Sequence, residues 1–279
     1  MKKGISIWSF TEPDIKKCLM LAKDAGFDGV ELALDEQGPV SLTSTKEEML
    51  EIKAFAESIG LELYSVASGL YWTYNYTSGD EKNREKAKAI TKKQLEIASW
   101  LACDTILVVP GAVKVAFDPE SELVEYDVAY ERALAALKEL ASYAEALQVS
   151  IGVENVWNKF LLSPVEMADF IDKVGSDYVG SYFDVGNVLH IGYPEHWIKV
   201  LANRIKKVHF KDYRVAAGGL HGFVDLLSGE VNWPGVMEQF EKIGYDGWVT
   251  AEMIPPYTHY PETIIYNTSN AMDKILGRK

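Results

Sequence analysis

The sequence has few cysteines, an excess of acidic over basic residues and no long apolar run. Its two cysteines, Cys18 and Cys103, lie in apolar stretches, which predicts small core residues rather than a disulfide or a nucleophile. The formal net charge of −13 opposes a nucleic-acid partner, because phosphates would be repelled. The N-terminal stretch contains no apolar segment as long as a signal peptide or membrane helix. We therefore expect a cytoplasmic protein with no membrane partner.

Short apolar segments of strand length alternate along the chain with longer segments of helical periodicity. The predicted strands are Gly4–Trp8, Gly29–Ala33, Leu61–Ala67, Thr105–Val109, Ser150–Glu154, Val179–Asp184, Ile205–Phe210 and Trp248–Glu252. Eight such units without a linker predict an α/β fold, a (β/α)8 TIM barrel that forms one domain over residues 1–279. A doubly wound sheet would need a glycine-rich loop after its first strand, and the segment 8–11 is not one.

Local signals indicate where helices begin and end. The segments 11–14 and 163–166 each read as an N-cap with proline in the first turn, and Gly26 and Gly60 are typical of helix C-termini. Two long connections, Ser68–Asp80 and Asp212–Val231, follow predicted strands. In a barrel they would rise from the C-terminal face, where active sites lie.

The last four predicted strands each carry a candidate metal ligand at or near the C-terminal end. These residues are Glu154, Asp184, His209 and Glu252. Strand ends of a barrel are neighbours around one rim, so the four side chains can converge. Three converging carboxylates would repel one another strongly without a cation. We therefore predict one divalent ion, with Mn(II) favoured and Mg(II), Co(II) or Zn(II) as alternatives, because the ligands are mostly oxygen.

Several motifs resemble the xylose-isomerase-like TIM-barrel superfamily, in particular its ketose 3-epimerases, ketose-phosphate epimerases and hydroxypyruvate isomerase. The matching segments are Gly152–Val156, Tyr182–Asn187, Lys207–Asp212 and Gly244–Glu252. The resemblance implies an isomerase of carbohydrate metabolism that epimerises or isomerises a ketose or ketose phosphate through a metal-stabilised enediolate. It also implies that Glu154 and Glu252 transfer the protons while Asp184 and His209 serve only as ligands. Relatives are often dimers or tetramers, so a homodimer or homotetramer is expected.

The resemblance and the loop positions also suggest residues that contact the sugar. Candidates are Arg214, Asn187, Lys211, Trp8, Trp72 and Trp157. Free-ketose 3-epimerases usually have histidine where this chain has Asn187, and an acid shortly after the ligand corresponding to Glu154. Residues 158–161 contain no acid, so the sequence leaves the identity of the sugar open.

Three other functions remain to be weighed. Apurinic-site endonucleases share this barrel, but their three-zinc cluster needs more histidines than the five present. An inosose-dehydratase-type lyase would keep a similar metal site and is the main alternative. A non-catalytic sugar-binding barrel would be expected to lose a proton-transfer glutamate, and Glu154 and Glu252 are both present.

Overall fold

The computed structural model describes residues 1–254 and 256–278, and it contains a closed barrel of eight parallel strands. In their order around the barrel these strands are β1 (Lys2–Ser6), β10 (Trp248–Ala251), β7 (Ile205–Phe210), β6 (Val179–Asp184), β5 (Ser150–Glu154), β4 (Thr105–Val108), β3 (Glu62–Ser68) and β2 (Gly29–Leu34). A separate antiparallel hairpin pairs β8 (Asp212–Tyr213) with β9 (Phe223–Val224). The predicted TIM-barrel fold is confirmed.

Helices cover the outside of the barrel in the connections between strands. They are α1 (Ile15–Asp24), α2 (Lys46–Ser58), α3 (Glu81–Leu101), α4 (Tyr126–Leu147), α5 (Pro164–Val174), α6 (Val185–Val188), α7 (Pro194–Leu201), α8 (Trp233–Lys242) and α9 (Glu262–Ile275). Cys18 and Cys103 are buried and free, as predicted. No helix in the described ranges combines the length and the apolar character that a membrane span requires.

Seven of the predicted strands agree with the structure to within one residue at each end, and the first does not. The sequence predicts Gly4–Trp8, whereas β1 is Lys2–Ser6. Ser6 instead caps a short 3₁₀ turn, where its side chain accepts from the Trp8 amide. Lys3 can belong to a buried strand because its ammonium contacts Asp273 at 2.6 Å and Ser269 at 2.9 Å. These partners lie at the other end of the chain, so the local sequence does not reveal them.

Alternation along the strands decides which side chains enter the barrel. On β7, Phe210 points outward and packs against Trp233, with ring centroids 4.7 Å apart. Its neighbour His209 therefore points inward. The register pairs His209 with Asp184 on β6, so both side chains reach the same level of the interior.

Most of the predicted helix ends are confirmed. Ser163 caps α5 by accepting from the Glu166 amide, with Pro164 in the first turn. Gly26 and Gly60 have positive φ angles after their helices, where glycine is favoured. For α1 the prediction is wrong in detail: Asp14 is the N-cap, so Pro13 precedes the helix and does not lie in its first turn.

The loop between β7 and α8 is held in place by one buried carboxylate. Asp212 accepts from the amides of Tyr213 (2.9 Å), Leu227 (3.0 Å) and Val231 (3.1 Å), and from the Trp233 indole (3.1 Å). Four donors hold its two oxygens, which fixes the β8–β9 hairpin above the barrel mouth.

Candidate metal centre

The four predicted ligands lie together at the C-terminal rim of the barrel. Glu154 ends β5, Asp184 ends β6, His209 is on β7 and Glu252 follows β10. These strands are consecutive around the barrel, although they are separated in sequence. One potential ligand atom from each residue lies within 4.8 Å of all the others, and all four residues are buried. This group can hold a metal ion.

Distances within the group centre on one imidazole nitrogen. His209 Nδ1 lies 2.9 Å from Glu252 Oε2, 3.6 Å from Glu154 Oε1 and 3.8 Å from Asp184 Oδ2. The Lys211 ammonium lies 2.7 Å from Glu252 Oε2 and 3.1 Å from Asp184 Oδ2. The carboxylates of Asp184 and Glu252 therefore converge on the ammonium of Lys211 and the imidazole of His209.

Hydrogen bonding shows that these atoms fit a cation. In the part of the chain that the structure describes, the buried side-chain atoms without a well-formed hydrogen bond are Ser181 Oγ, Asp184 Oδ2, His209 Nδ1 and Glu252 Oε2. Three of these four belong to the candidate ligand group. These three atoms meet one another and Lys211 only in ion pairs that lack hydrogen-bond geometry, and a divalent ion would give each of them a coordination partner.

A carboxylate that the sequence analysis did not single out orients the imidazole. Glu31 on β2 is fully buried, and its Oε1 lies 2.9 Å from His209 Nε2. Its Oε2 accepts from Ser65 Oγ at 2.9 Å and from the Tyr182 hydroxyl. A hydrogen bond from Nε2 to Glu31 leaves Nδ1 as the nitrogen that faces the ligand group. The signal in the sequence was a glutamate in the middle of an apolar strand.

Backbone contacts also fix the orientation of Asp184. Its Oδ1 accepts from the Asn187 amide at 2.8 Å, which leaves Oδ2 for the ligand group. Asn155 accepts from the Asp184 amide and donates to the Asp184 carbonyl, both at 2.9 Å. The Asn187 side chain in turn donates to the Asn155 carbonyl. The two asparagines thus join the ends of β5 and β6.

Charge and burial shift the pKa values within the group in opposite directions. Burial raises the pKa of Glu154 to about 7. Burial also acts to raise the pKa of Glu252, but the positive charges of Lys211 and His209 outweigh it and hold that pKa at about 2. Burial lowers the pKa of His209 less than the carboxylates of Glu31 and Glu252 raise it. A metal ion would have to replace the proton on Nδ1.

Two cavities open onto the ligand group. The first, which we call the aromatic chamber, has a volume of about 440 Å³ and is lined largely by apolar side chains, among them Trp8, Trp72, Phe117, Trp157 and Phe223. The second, the polar lobe, has a volume of about 630 Å³, and its lining includes Asp225, Ser228, Tyr257 and His259. Lys211, Phe223, Glu252 and Ile254 line both.

Most of the predicted substrate contacts lie at these cavities. Asn187, Lys211, Trp8, Trp72 and Trp157 line the aromatic chamber. Arg214 does not line either cavity; it is exposed, and its Nε donates to the Ser228 carbonyl. The role of Arg214 in substrate binding stays a prediction, and its hydrogen bond to Ser228 does not support it. Phe117, in the loop between β4 and α4, was not predicted and packs edge-on against Trp72.

Comparison with known proteins agrees with this architecture. Residues 19–271 match the xylose isomerase-like TIM barrel family, so the chain belongs to that family. It is 28% identical over 250 residues to the Escherichia coli (strain K12) protein named "Putative L-ribulose-5-phosphate 3-epimerase SgbU", covering 84% of this chain and 82% of that protein. It is 25% identical over 276 residues to a D-psicose 3-epimerase of Enterocloster bolteae, and the match covers 95% of this chain and 85% of that protein.

Solved structures show the same fold. The crystal structure of IOLI protein with a bound zinc atom superposes with a TM-score of 0.81 over 99% of this chain and 98% of the other, at 17% identity. At the level of enzyme class, the named relatives confirm the prediction of an isomerase.

Proposed function

We propose that this protein is a divalent-metal-dependent epimerase or isomerase of a ketose. The observation that carries the proposal is the buried convergence of Glu154, Asp184, His209 and Glu252, with three ligand atoms that lack well-formed hydrogen bonds. A group of three carboxylates and one imidazole suits Mn(II) first, with Mg(II), Co(II) and Zn(II) as alternatives. The relatives named as ketose epimerases support the same chemistry.

The bound ion would supply Lewis-acid polarisation of the ketose carbonyl and the adjacent hydroxyl. The chain's own contribution is to hold and move protons. Glu154 ends β5 and Glu252 follows β10, and two other strands, β6 and β7, separate them around the rim. Their carboxylates therefore approach the reaction centre from different sides, so one can remove a proton from carbon while the other returns one. Asp184 and His209 act as ligands only.

The remaining residues position the substrate. Lys211 contacts two carboxylates of the group and faces both cavities, so its ammonium can donate to a sugar oxygen bound beside the ion. Asn187 lies at the wall between β6 and the aromatic chamber. Whether the proton returns to the same carbon or to its neighbour decides between epimerisation and aldose–ketose isomerisation, and the substrate's position sets that choice.

Deuterium incorporation tests the proposal. Purified protein loaded with Mn(II) is incubated in deuterated water with a panel of ketoses, free and phosphorylated, and carbon-bound deuterium is measured by NMR. We expect exchange at the carbon next to the carbonyl in at least one member. If the metal is confirmed in the site and no member exchanges, the proposal is wrong. Loss of water from a keto-inositol would indicate a lyase instead.

Substitution of one proton carrier gives a second test. Glu252→Gln is expected to lower the exchange rate by roughly 10²–10⁴-fold, because the amide can still coordinate but cannot accept the proton. Glu262→Gln, on the exposed face of α9, is the matched control and should exchange at the wild-type rate. Metal content is measured in both variants. Wild-type exchange by the Glu252 variant would remove Glu252 from the proton-transfer step.

A further inference from the structure

The aromatic chamber offers few free hydrogen-bonding groups to a sugar. Apart from Glu154 and Glu252, the lining side chains of the described chain that carry polar groups are Ser68, Asn187, Lys211 and His221, together with the indole N–H groups of Trp8, Trp72 and Trp157. Ser68 Oγ already donates to the Leu34 carbonyl, and the Asn187 amide already donates to the Asn155 carbonyl. The ammonium of Lys211 contacts Asp184 and Glu252, which leaves one of its three N–H groups for a substrate oxygen.

Aromatic rings form much of the chamber wall, and the Phe223 ring lies beside the ligand group, with Lys211 Nζ 5.5 Å from its centroid. Trp72 and Phe117 meet edge to face with centroids 5.0 Å apart, and Trp157 stacks on Phe223 at 5.1 Å. The Trp157 indole nitrogen donates to the Asn187 carbonyl, so the ring presents its apolar surface. Hydroxyl groups placed against this wall would lose hydrogen bonds to water without gaining replacements. An apolar group would be favoured there, and a volume of about 440 Å³ lies within the range of pockets that bury drug-sized ligands.

The described lining of the two cavities offers a phosphate group only one side chain with a fixed positive charge, that of Lys211. TIM barrels that bind phosphate often do so with the loops after their seventh and eighth strands, which here line the polar lobe. The described residues lining that lobe include the carboxylates of Asp212, Asp225 and Glu252 but only one lysine, Lys211. Arg214, the other cation among the predicted substrate contacts, is exposed and lines neither cavity. A dianion would therefore meet net negative charge on one side and apolar surface on the other.

We propose that the substrate is an uncharged ketose bearing an aryl or alkyl substituent, joined through an ether or glycosidic oxygen, and that phosphorylated ketoses are excluded. The substituent lies in the aromatic chamber, and the free hydroxyl groups face the polar lobe, where Ser228, Tyr257 and His259 carry polar groups. This inference rests on the proposed function, since it assigns the substrate class of the same site.

A matched set of substrates tests the inference. Protein loaded with Mn(II) is given D-fructose, its 1- and 6-phosphates, and its 1-O-benzyl and 6-O-benzyl ethers, and kcat/KM for deuterium exchange is measured. We expect one benzyl ether to exceed D-fructose by roughly tenfold or more, and both phosphates to fall below it by on the order of a hundredfold. A phosphate that equals or exceeds D-fructose, or two benzyl ethers below it, would overturn the inference.

Binding measurements separate this inference from the proposed function. The same compounds are titrated into the Mn(II)-loaded protein by calorimetry. If no compound exchanges deuterium but a benzyl ether binds more tightly than D-fructose and the phosphates, the proposed function fails and the substrate class stands. If exchange occurs and the phosphates are preferred in both assays, the proposed function stands and the substrate class is wrong.

Substitutions in the loop between β4 and α4 test whether the aromatic chamber determines the preference for a benzyl ether over D-fructose. Phe117→Ala should lower the ratio of kcat/KM for the preferred benzyl ether to that for D-fructose by roughly fivefold to tenfold, because Phe117 lines the chamber. Leu123→Ala, in the same loop but 76% exposed and outside the chamber lining, is the matched control and should leave this ratio unchanged. Phe117→Arg should raise kcat/KM for a phosphate relative to D-fructose, since it places a cation at the chamber wall. The placement of the substituent in the aromatic chamber would be refuted if Phe117→Ala left the benzyl ether to D-fructose ratio unchanged and Phe117→Arg left the phosphate to D-fructose ratio unchanged.

Discussion

Replacing Glu31 tests how far the metal centre depends on a residue that does not belong to the ligand group. Glu31 Oε1 accepts from His209 Nε2, while Oε2 accepts from Ser65 and Tyr182. Glu31→Gln keeps an oxygen that can face His209 but removes the negative charge. Glu31→Ala removes the acceptor altogether, so the imidazole can turn or change tautomer. Neither change removes a ligand atom.

The expected loss of metal affinity follows from the hydrogen bond by which Glu31 orients His209. Loss of a partner that orients a ligating histidine typically costs 10- to 100-fold in metal affinity, or about 1.4–2.8 kcal/mol. We expect Glu31→Gln to lower the metal affinity by about 10-fold and Glu31→Ala to lower it by about 100-fold. Alanine also leaves the buried donors of His209 and Ser65 without an acceptor, at about 1–3 kcal/mol each, whereas the Tyr182 hydroxyl can still donate to Ser65 Oγ at 3.2 Å. The alanine variant should therefore have a lower free energy of unfolding as well. The glutamine variant is therefore the cleaner test of positioning.

Calorimetric titration of Mn(II) into metal-stripped protein measures the affinity directly. Glu62→Gln is the matched control, because Glu62 is an exposed strand glutamate that bonds Lys2 outside the barrel. Ser65→Ala removes one of the hydrogen bonds to Glu31. Its loss of Mn(II) affinity should lie between that of the wild type, which is zero, and that of Glu31→Ala. If Glu31→Gln binds Mn(II) within about twofold of the wild type, Glu31 does not set the imidazole orientation, and the reasoning fails.

Two further predictions concern stability. Mn(II) at roughly 100 times its dissociation constant should raise the free energy of unfolding by about 2.7 kcal/mol over the chelator-treated protein; identical denaturation curves would show that the folded state does not bind the ion. Asp28→Asn should cost roughly 0.5–1 kcal/mol near neutral pH, because Asp28 accepts from the Lys3 amide and from Arg278 but is partly exposed. Burial acts to raise the pKa of Asp28, yet Arg278 and the Lys3 amide together lower it. Its contribution is therefore present above the unfolded pKa of about 3.9 and lost as pH falls through the lower folded value, so wild type and variant should converge in acid.

The barrel and its ligand group could be predicted because each rests on a local signal. Apolar strand segments and helical periodicity can be recognised from residues that are close together in the sequence. Glu154, Asp184 and Glu252 lie at or just beyond the ends of such strands. Closure of the barrel then brings those ends together without further information. This is why the sequence predicts that the four candidate ligands converge although 98 positions separate Glu154 from Glu252.

Features that depend on distant partners were not predictable in the same way. Glu31 meets His209 across 178 positions of sequence, and only the inward direction of both side chains reveals the contact. Phe117 lies in a loop without periodicity, and its contact with Trp72 depends on how two loops fold over the rim. Arg214 shows the reverse case: its position in sequence suggested a substrate contact, but the β8–β9 hairpin directs it to the Ser228 carbonyl.

The order of strands around the barrel has a consequence for how such an enzyme can change over evolutionary time. The four candidate ligands occupy one continuous arc, β5, β6, β7 and β10, whereas Trp8, Trp72 and Phe117 follow β1, β3 and β4 on the opposite arc. Mutations in the loops that carry Trp8, Trp72 and Phe117 can accumulate without replacing a candidate ligand, provided that Glu31 on β2 is kept to orient His209. A lineage built on this scaffold can therefore change the lining of the aromatic chamber while the candidate ligand group is retained.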